Sequence, residues 1–318
     1  MRPGLGQHRG SWRPLTRHGA LNPWIRREIR GGGRSTSAAT PYGAGPAASR
    51  SSGEGFESRS GVLIRLNPLL DAVVIHVLRF AVIAITLGIA GVAGVSGWAL
   101  GLVANLAVTC LAVILMTRRR LWHSSGMTTA WRSRAAGLAV LPLAFEAITW
   151  ALPAGVTAQA PGFALWALAL LLVGVNEELI SRGVVLGRLR LAYRPIVAVG
   201  ATAALFGLQH LSALALTSRA TGDVLGNVAL SAIYGFALAA FQMRFRWLWP
   251  LIMVHALADW VTILASAALP DLAIAGTHLA LLAFGLLLLR RLPREWPARS
   301  AEALTLLAPV GEDRQPDG

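Results

Sequence analysis

The sequence predicts an all-α fold, a polytopic transmembrane helical bundle of about eight membrane helices. Hydrophobic residues make up 55% of the 318 residues and charged residues only 14%, whereas a soluble domain carries about 25% charged residues. Apolar runs long enough to cross a bilayer, which takes roughly 20 residues, recur along the chain. Helices are the expected spanning form, because backbone groups in lipid must be hydrogen-bonded within their own segment.

The composition divides the chain into three parts. Residues 1–60 are rich in Arg, Gly, Ser and Pro and have no apolar periodicity, so we expect a disordered cytoplasmic tail. Residues 61–292 contain the apolar segments and are expected to form the transmembrane bundle. Residues 293–318 are again polar and are expected to form a C-terminal tail.

Eight apolar segments are expected to span the membrane. Their approximate limits are 67–93, 96–117, 136–153, 163–188, 195–216, 224–243, 246–268 and 271–290. Arginines lie before the first segment, after the eighth and in every second loop. In the alternate loops Arg219 is the only basic residue. Because positively charged loops stay in the cytoplasm, we expect an even number of spans and two cytoplasmic termini in a cell membrane.

Charge and cysteine content exclude two other classes. The net charge of +14 would be compatible with nucleic-acid binding, but the arginines flank apolar runs, which is typical of membrane topology. We therefore expect lipid contacts and no nucleic-acid partner. The single cysteine, Cys110, excludes a disulfide framework and a cysteine metal cluster.

The fourth apolar segment contains two adjacent carboxylates. Glu178 and Arg182 are four residues apart, so they share a helix face and are predicted to pair. Glu177 points about 100° away from Glu178 and has no basic partner nearby in the sequence. Ionisable groups inside a membrane span are functional candidates by default, although one structural ion cluster of all three residues is the alternative.

Two further segments contain histidines. The fifth carries His210, and the seventh carries His255 and Asp259 at positions i and i+4 of one helix face. Interhelix hydrogen bonding is the structural alternative for each. Counted from the flanking arginines at 1.5 Å per residue, Glu177, His210, His255 and Asp259 lie at depths of roughly 16, 24, 13 and 20 Å. These overlapping depths predict convergence on one polar cavity, since isolated burial of each group would be costly.

A glutamate with two histidines supports a restricted chemistry. Glu177 could activate water as a general base, or the set could hold a metal whose bound water is the nucleophile. Two imidazoles and a carboxylate suit zinc, with His210, His255 and Asp259 as candidate ligands, or with Asp259 orienting His255. Hydrolysis of an amide bond fits both versions, and the sequence leaves open whether Glu177 is base or ligand.

The order of these motifs resembles the CPBP intramembrane protease family. The motifs are Glu-Glu-x-x-x-Arg at 177–182, Phe-x-x-x-His at 206–210 and His-x-x-x-Asp at 255–259. This family includes type II CAAX prenyl proteases and bacterial bacteriocin-processing and abortive-infection proteins. The resemblance covers about residues 136–290 and implies a protease core in this region.

The resemblance also implies roles for individual residues. Glu177 would be the catalytic glutamate that acts on water, and His210, His255 and Asp259 would complete the site. Glu178, Arg182 and Phe206 would support them. The family is usually called a metalloprotease family, with zinc as the presumed metal, and a metal-independent glutamate mechanism is the alternative. Many members have Asn where this chain has Asp259, and an ionised Asp cannot donate a hydrogen bond to an oxyanion.

The expected function is therefore an intramembrane endopeptidase acting on a membrane-associated protein or peptide. The composition is rich in alanine and contains arginine but no lysine, so a bacterial source is expected. Immunity, peptide maturation or signalling are therefore candidate roles alongside cleavage of prenylated CAAX tails. A catalytically inactive membrane scaffold and a proton-coupled transporter are the alternatives, and the oligomeric state is left open. His76, Glu146 and His278 lie in spans outside any motif and are interpreted as structural.

Overall fold

The computed structural model describes residues 67–292 of the chain. The predicted tails, residues 1–60 and 293–318, lie outside the described residues. Eleven α-helices follow one another in this part of the chain, and in three places a short 3₁₀ or π segment joins two of them directly. The α-helices are α1 Pro68–Val92, α2 Trp98–Arg118, α3 Arg134–Val140, α4 Phe145–Ala151, α5 Phe163–Glu178, α6 Leu186–Ala192, α7 Pro195–Leu208, α8 Ser212–Leu216, α9 Thr221–Phe245, α10 Trp249–Leu264 and α11 Asp271–Arg290.

These helices form a helical membrane bundle, as predicted. Seven continuous helical stretches within residues 67–292 are long and apolar enough to cross a membrane, and α10 is a shorter apolar helix of 16 residues. Together they match the eight apolar segments of the sequence. Large apolar side chains such as Val92 and Leu272 are 93% and 84% exposed, as expected for a protein whose outer surface faces lipid rather than water.

Three spans change helix type along their length. The third contains the 3₁₀ segment Leu141–Ala144, where Pro142 has no N–H to continue the α-helical pattern. The fourth contains the π segment Leu179–Val185 between α5 and α6, and the fifth contains the 3₁₀ segment Gln209–Leu211 between α7 and α8. Such interruptions often mark functional sites. The π segment begins two residues after Glu177, and the 3₁₀ segment of the fifth span contains His210.

Helix α9 lies at the centre of one half of the bundle, packed between α7 and α11, while α5 packs against α2 and α10. Small residues permit these close approaches. A Cβ at Gly207 would lie 2.6 Å from the Val228 carbonyl oxygen of α9, and one at Gly174 would lie 2.8 Å from the Ile252 carbonyl oxygen of α10. The glycines therefore bring α7 towards α9 and α5 towards α10, the helices that carry the candidate site.

Candidate active site

The first element of the site is a buried ion pair at the end of α5. Arg182 Nη1 donates to Glu178 Oε1 at 2.8 Å, and both side chains are fully buried. Arg182 Nη2 also donates to the carbonyl oxygen of Gly235 on α9 at 3.2 Å. The guanidinium lies 4.0 Å from the centre of the Phe206 ring, a cation–π contact. The predicted pairing of Glu178 with Arg182 is confirmed, and it links α5, α7 and α9.

Glu177 also has a basic partner, which its sequence neighbourhood does not reveal. Arg79 of α1 donates from Nη2 to Glu177 Oε1 at 2.7 Å, and both side chains are more than nine-tenths buried. The expectation that Glu177 lacks a basic partner holds for the adjacent sequence but not for the folded chain. The cause is the packing of α1 beside α2 and the π segment, which brings an arginine from the first span to the fourth.

His255 of α10 lies between three carboxylates. Its Nδ1 is 2.8 Å from Glu178 Oε1, and Nδ1 is the donor because an ionised carboxylate only accepts. Its Nε2 lies 3.7 Å from Glu177 Oε2 and 3.6 Å from Asp259 Oδ2. The glutamates of α5 and the His–Asp pair of α10 are therefore neighbours within the membrane bundle, as the depth argument predicted.

His210 approaches the same group from the fifth span. Its ring packs edge-on against Phe206, with 5.7 Å between ring centres, and His255 contacts Phe206 at the same distance. His210 Nε2 is buried and has no hydrogen-bond partner among the described residues. His210 also interacts electrostatically with Glu177. The structure thus places His255 between Glu177 and Asp259, and both His210 and His255 against Phe206, while the catalytic roles of these residues stay a prediction.

A phenol that belongs to no motif also borders the site. Tyr234 of α9 packs edge-on against His255, with 5.9 Å between ring centres. Its side chain is buried, and its hydroxyl has no hydrogen-bond partner in the described part of the chain. Sequence reasoning missed Tyr234 and Arg79. The available signal was a polar side chain in an apolar span, the same signal that identified the histidines.

A second polar cluster lies on the far side of Asp259. Glu146 of α4 interacts electrostatically with Asp259, and its Oε1 lies 3.7 Å from His278 Nε2 of α11. The hydroxyls of Thr149 and Thr277 are 3.3 Å apart beside this pair. The structural interpretation of Glu146 and His278 is compatible with this interhelix contact.

The donors do not form a metal site. Within residues 67–292, no group of three or more His, Cys, Asp or Glu side chains is arranged to hold a metal ion. His255 Nδ1 is engaged by Glu178, and the Arg79 guanidinium already lies against Glu177. A divalent cation beside Glu177 would face that positive charge at close range. The described side chains therefore form no ready-made metal-binding group, and zinc at His210, His255 and Asp259 stays a prediction for experiment.

The geometry suits acid–base chemistry on a bound water. Glu177 Oε2 faces His255 Nε2, while Oε1 is held by Arg79. A carboxylate whose position is fixed by hydrogen bonds, in a region that excludes bulk water, is the arrangement required of a general base.

An apolar cavity of about 580 Å³ lies beside the N-terminal half of α10. Trp131, Leu141, Trp247 and Met253 are among the residues that line it, and Val254, which precedes His255, lies at its edge. A cavity of this size is large enough for a hydrophobic group of a small ligand. Its wall and the candidate site therefore share one helix.

Comparison with known proteins finds one family match. Residues 159–261 match the family described as Type II CAAX prenyl endopeptidase Rce1-like. The matched segment includes Glu177, Glu178, His210, Tyr234 and His255, whereas Arg79 and Glu146 lie outside it. No curated protein and no solved structure matches the chain.

Proposed function

Because residues 159–261 match the family described as Type II CAAX prenyl endopeptidase Rce1-like, we propose that the chain is an intramembrane endopeptidase. It hydrolyses a peptide bond of a membrane-associated protein or peptide, and Glu177 activates the attacking water. The observation that carries the proposal is the buried contact of Glu177 with His255 and Arg79, contributed by three separate spans.

Glu177 acts as the base in the first half of the reaction. Its carboxylate removes a proton from water while the water oxygen attacks the carbonyl carbon of the scissile bond. The carbonyl π electrons move to the carbonyl oxygen and form a tetrahedral oxyanion. When the carbon–oxygen double bond re-forms, the carbon–nitrogen bond breaks. The proton held by Glu177 passes to the leaving nitrogen, so that an amine and a carboxylic acid are released and Glu177 is regenerated.

The neighbouring side chains set the position of this carboxylate. Arg79 fixes Oε1, so Oε2 is the oxygen available to water. His255 is itself held by Glu178, which Arg182 holds in turn. This chain of hydrogen bonds keeps the reacting groups in one geometry before substrate binds, and such preorganisation lowers the barrier of the chemical step. His210 contributes an unpartnered ring nitrogen that can contact water or substrate.

The substrate reaches the site from the membrane. The cavity beside α10 has walls of Trp, Leu, Met and Val side chains, which suit an apolar anchor rather than a polar loop. With the arginine-rich loops in the cytoplasm, Glu177 lies roughly 16 Å below the cytoplasmic surface. A lipid-linked or transmembrane segment cleaved near the cytoplasmic leaflet satisfies both observations, and a prenylated CAAX tail is one member of this class.

Comparison of membrane peptides in cells tests the proposal. Wild type, Glu177→Gln and His210→Ala are expressed at matched membrane levels, and membrane peptides are quantified by mass spectrometry. Gln keeps an oxygen that accepts from Arg79, so the hydrogen bond between the first and fourth spans is retained while the charge is lost. The expected result is a peptide pair whose cleavage falls at least about 100-fold in Glu177→Gln, the contribution of a general base.

The matched control is Asp223→Asn, which neutralises an exposed carboxylate in the first turn of α9. This variant should give the wild-type peptide pattern. Identical patterns in wild type and Glu177→Gln, with both proteins present in the membrane, would overturn the proposal and favour a binding role.

A further inference from the structure

Tyr234 presents a buried hydroxyl without a protein partner next to the candidate site. Tyr234 is only 5% exposed. No described residue forms a hydrogen bond with its hydroxyl. Burying a hydroxyl without a partner costs free energy. A bound molecule that accepts its hydrogen bond would remove this cost.

The position of Tyr234 points to the reacting groups. The phenol packs edge-on against His255, and the next residue, Gly235, accepts a hydrogen bond from Arg182. Arg244 marks the cytoplasmic end of α9, and Tyr234 is ten residues before it, which places the ring at a depth of roughly 15 Å. The same estimate gives about 16 Å for Glu177, so the two groups lie at one level of the membrane.

Apart from His210, whose Nε2 has no partner among the described residues, the other donor side chains at the site each already make a hydrogen bond. Arg79 donates to Glu177, Arg182 donates to Glu178 and Gly235, and His255 Nδ1 donates to Glu178. An ionised Asp259 has no hydrogen to donate. The charged groups around the phenol are Glu146, Glu178, Asp259 and Arg182. A neutral O–H is therefore the group on α9 that can approach an electron-rich oxygen.

We infer that the Tyr234 hydroxyl donates a hydrogen bond to the carbonyl oxygen of the scissile bond. The bond strengthens as that oxygen gains negative charge during attack by water, and relaxes when the carbon–oxygen double bond re-forms. The inference rests on the proposed peptidase function. It adds a substrate-contacting residue that belongs to none of the three sequence motifs.

Removal of the Tyr234 hydroxyl oxygen tests the inference. Tyr234→Phe, Tyr193→Phe and Glu177→Gln are purified as full chains and reconstituted in liposomes with a fluorogenic farnesylated CAAX peptide. If cleavage of the farnesylated peptide does not depend on Glu177, the assay uses instead a peptide that contains the cleavage site identified by the comparison of membrane peptides. Loss of an oxyanion donor lowers kcat by about 100-fold or more. Because ground-state binding changes little, KM is expected to stay within about twofold of wild type.

Tyr193→Phe is the matched control, since the Tyr193 hydroxyl donates to Asn67 at a distance from the site; its kcat should equal that of wild type. The thermal stability of Tyr234→Phe should equal or exceed that of wild type, because no protein hydrogen bond is lost. A Tyr234→Phe variant with wild-type kcat, beside an inactive Glu177→Gln, would overturn the inference alone. Wild-type turnover in Glu177→Gln would instead contradict the proposed function.

Discussion

The guanidinium of Arg79 and the carboxylate of Glu177 form a buried ion pair across 98 positions of the chain, with 2.7 Å between Nη2 and Oε1. One partner belongs to the first span and the other to the fourth. Arg79 lies outside the segment that matches the peptidase family. The first span therefore contributes to the electrostatic environment of the proposed catalytic base, in addition to anchoring the chain in lipid.

Loss of Arg79 is expected to destabilise the bundle. Arg79→Met leaves an unpaired buried carboxylate, which costs about 3–5 kcal/mol. The double variant Arg79→Met, Glu177→Leu removes both charges and should recover most of this loss. Stability is measured by unfolding in mixed detergent micelles. Arg119→Met is the control, because its pair with Asp71 is partly exposed and such pairs contribute about 0–1 kcal/mol. Equal losses in Arg79→Met and Arg119→Met would contradict the assigned burial of the pair.

Glu178 is expected to act on stability more than on chemistry. Its Oε1 accepts from both Arg182 and His255, and its side chain is fully buried. Glu178→Gln breaks a buried charge pair and should cost about 3 kcal/mol while it leaves the proposed base in place, whereas Glu177→Gln breaks its own buried pair and should in addition lower kcat by about 100-fold. Unfolding and turnover are measured on the same two preparations. The assignment of roles is reversed if Glu178→Gln is as stable as wild type but inactive.

Gly235 is expected to tolerate no side chain. A Cβ there would lie 2.7 Å from Phe206 Cδ1 and 3.2 Å from Arg182 Nη2, so the ring or the guanidinium must move. Displacement of catalytic groups by about 1 Å can cost about 100-fold in rate, and Gly235→Ala should lower kcat on this scale. Gly226→Ala on the same helix meets nothing within 4 Å. That control should keep full activity and gain about 0.5–1 kcal/mol of helix stability.

Chelation tests the zinc prediction. Because the Arg79 guanidinium lies against Glu177, and no group of three or more His, Cys, Asp or Glu side chains in residues 67–292 is arranged to hold a metal ion, we expect turnover to persist after treatment with a membrane-permeant chelator. Metal analysis of the purified protein should show less than one equivalent of zinc. Stoichiometric zinc, with activity lost on chelation and restored by the metal, would show that the side chains rearrange around a cation.

Much of the fold could be predicted because hydropathy and helix period are local properties. The eight apolar segments correspond to the helices of the bundle, and the Glu178–Arg182 pair follows from their spacing of four residues. Convergence of Glu177 with His255 followed from depth, which depends only on the rise per residue. These predictions needed no knowledge of how the helices are arranged laterally.

The partners that could not be predicted depend on this lateral arrangement. Nothing in the neighbourhood of Arg79 distinguishes a guanidinium that turns inward to Glu177 from one that extends towards the membrane surface. A tyrosine in an apolar helix is likewise compatible with packing, so its polar side chain alone does not separate a site role for Tyr234 from a packing role. Whether His210, His255 and Asp259 can hold a metal ion depends on side-chain directions, which depth does not determine.

The π segment Leu179–Val185 has a consequence for relatives of this chain. A π-helix contains about one residue more per turn than an α-helix. Deletion of Val184, for example, would leave the Glu-Glu-x-x-x-Arg letters and the apolar character of the span unchanged. It would nevertheless swing residues 186–192 by about 100° relative to the two glutamates. Sequences that share every motif letter can therefore differ in where their acidic groups point, and a one-residue gap at this position is the alignment feature that distinguishes them.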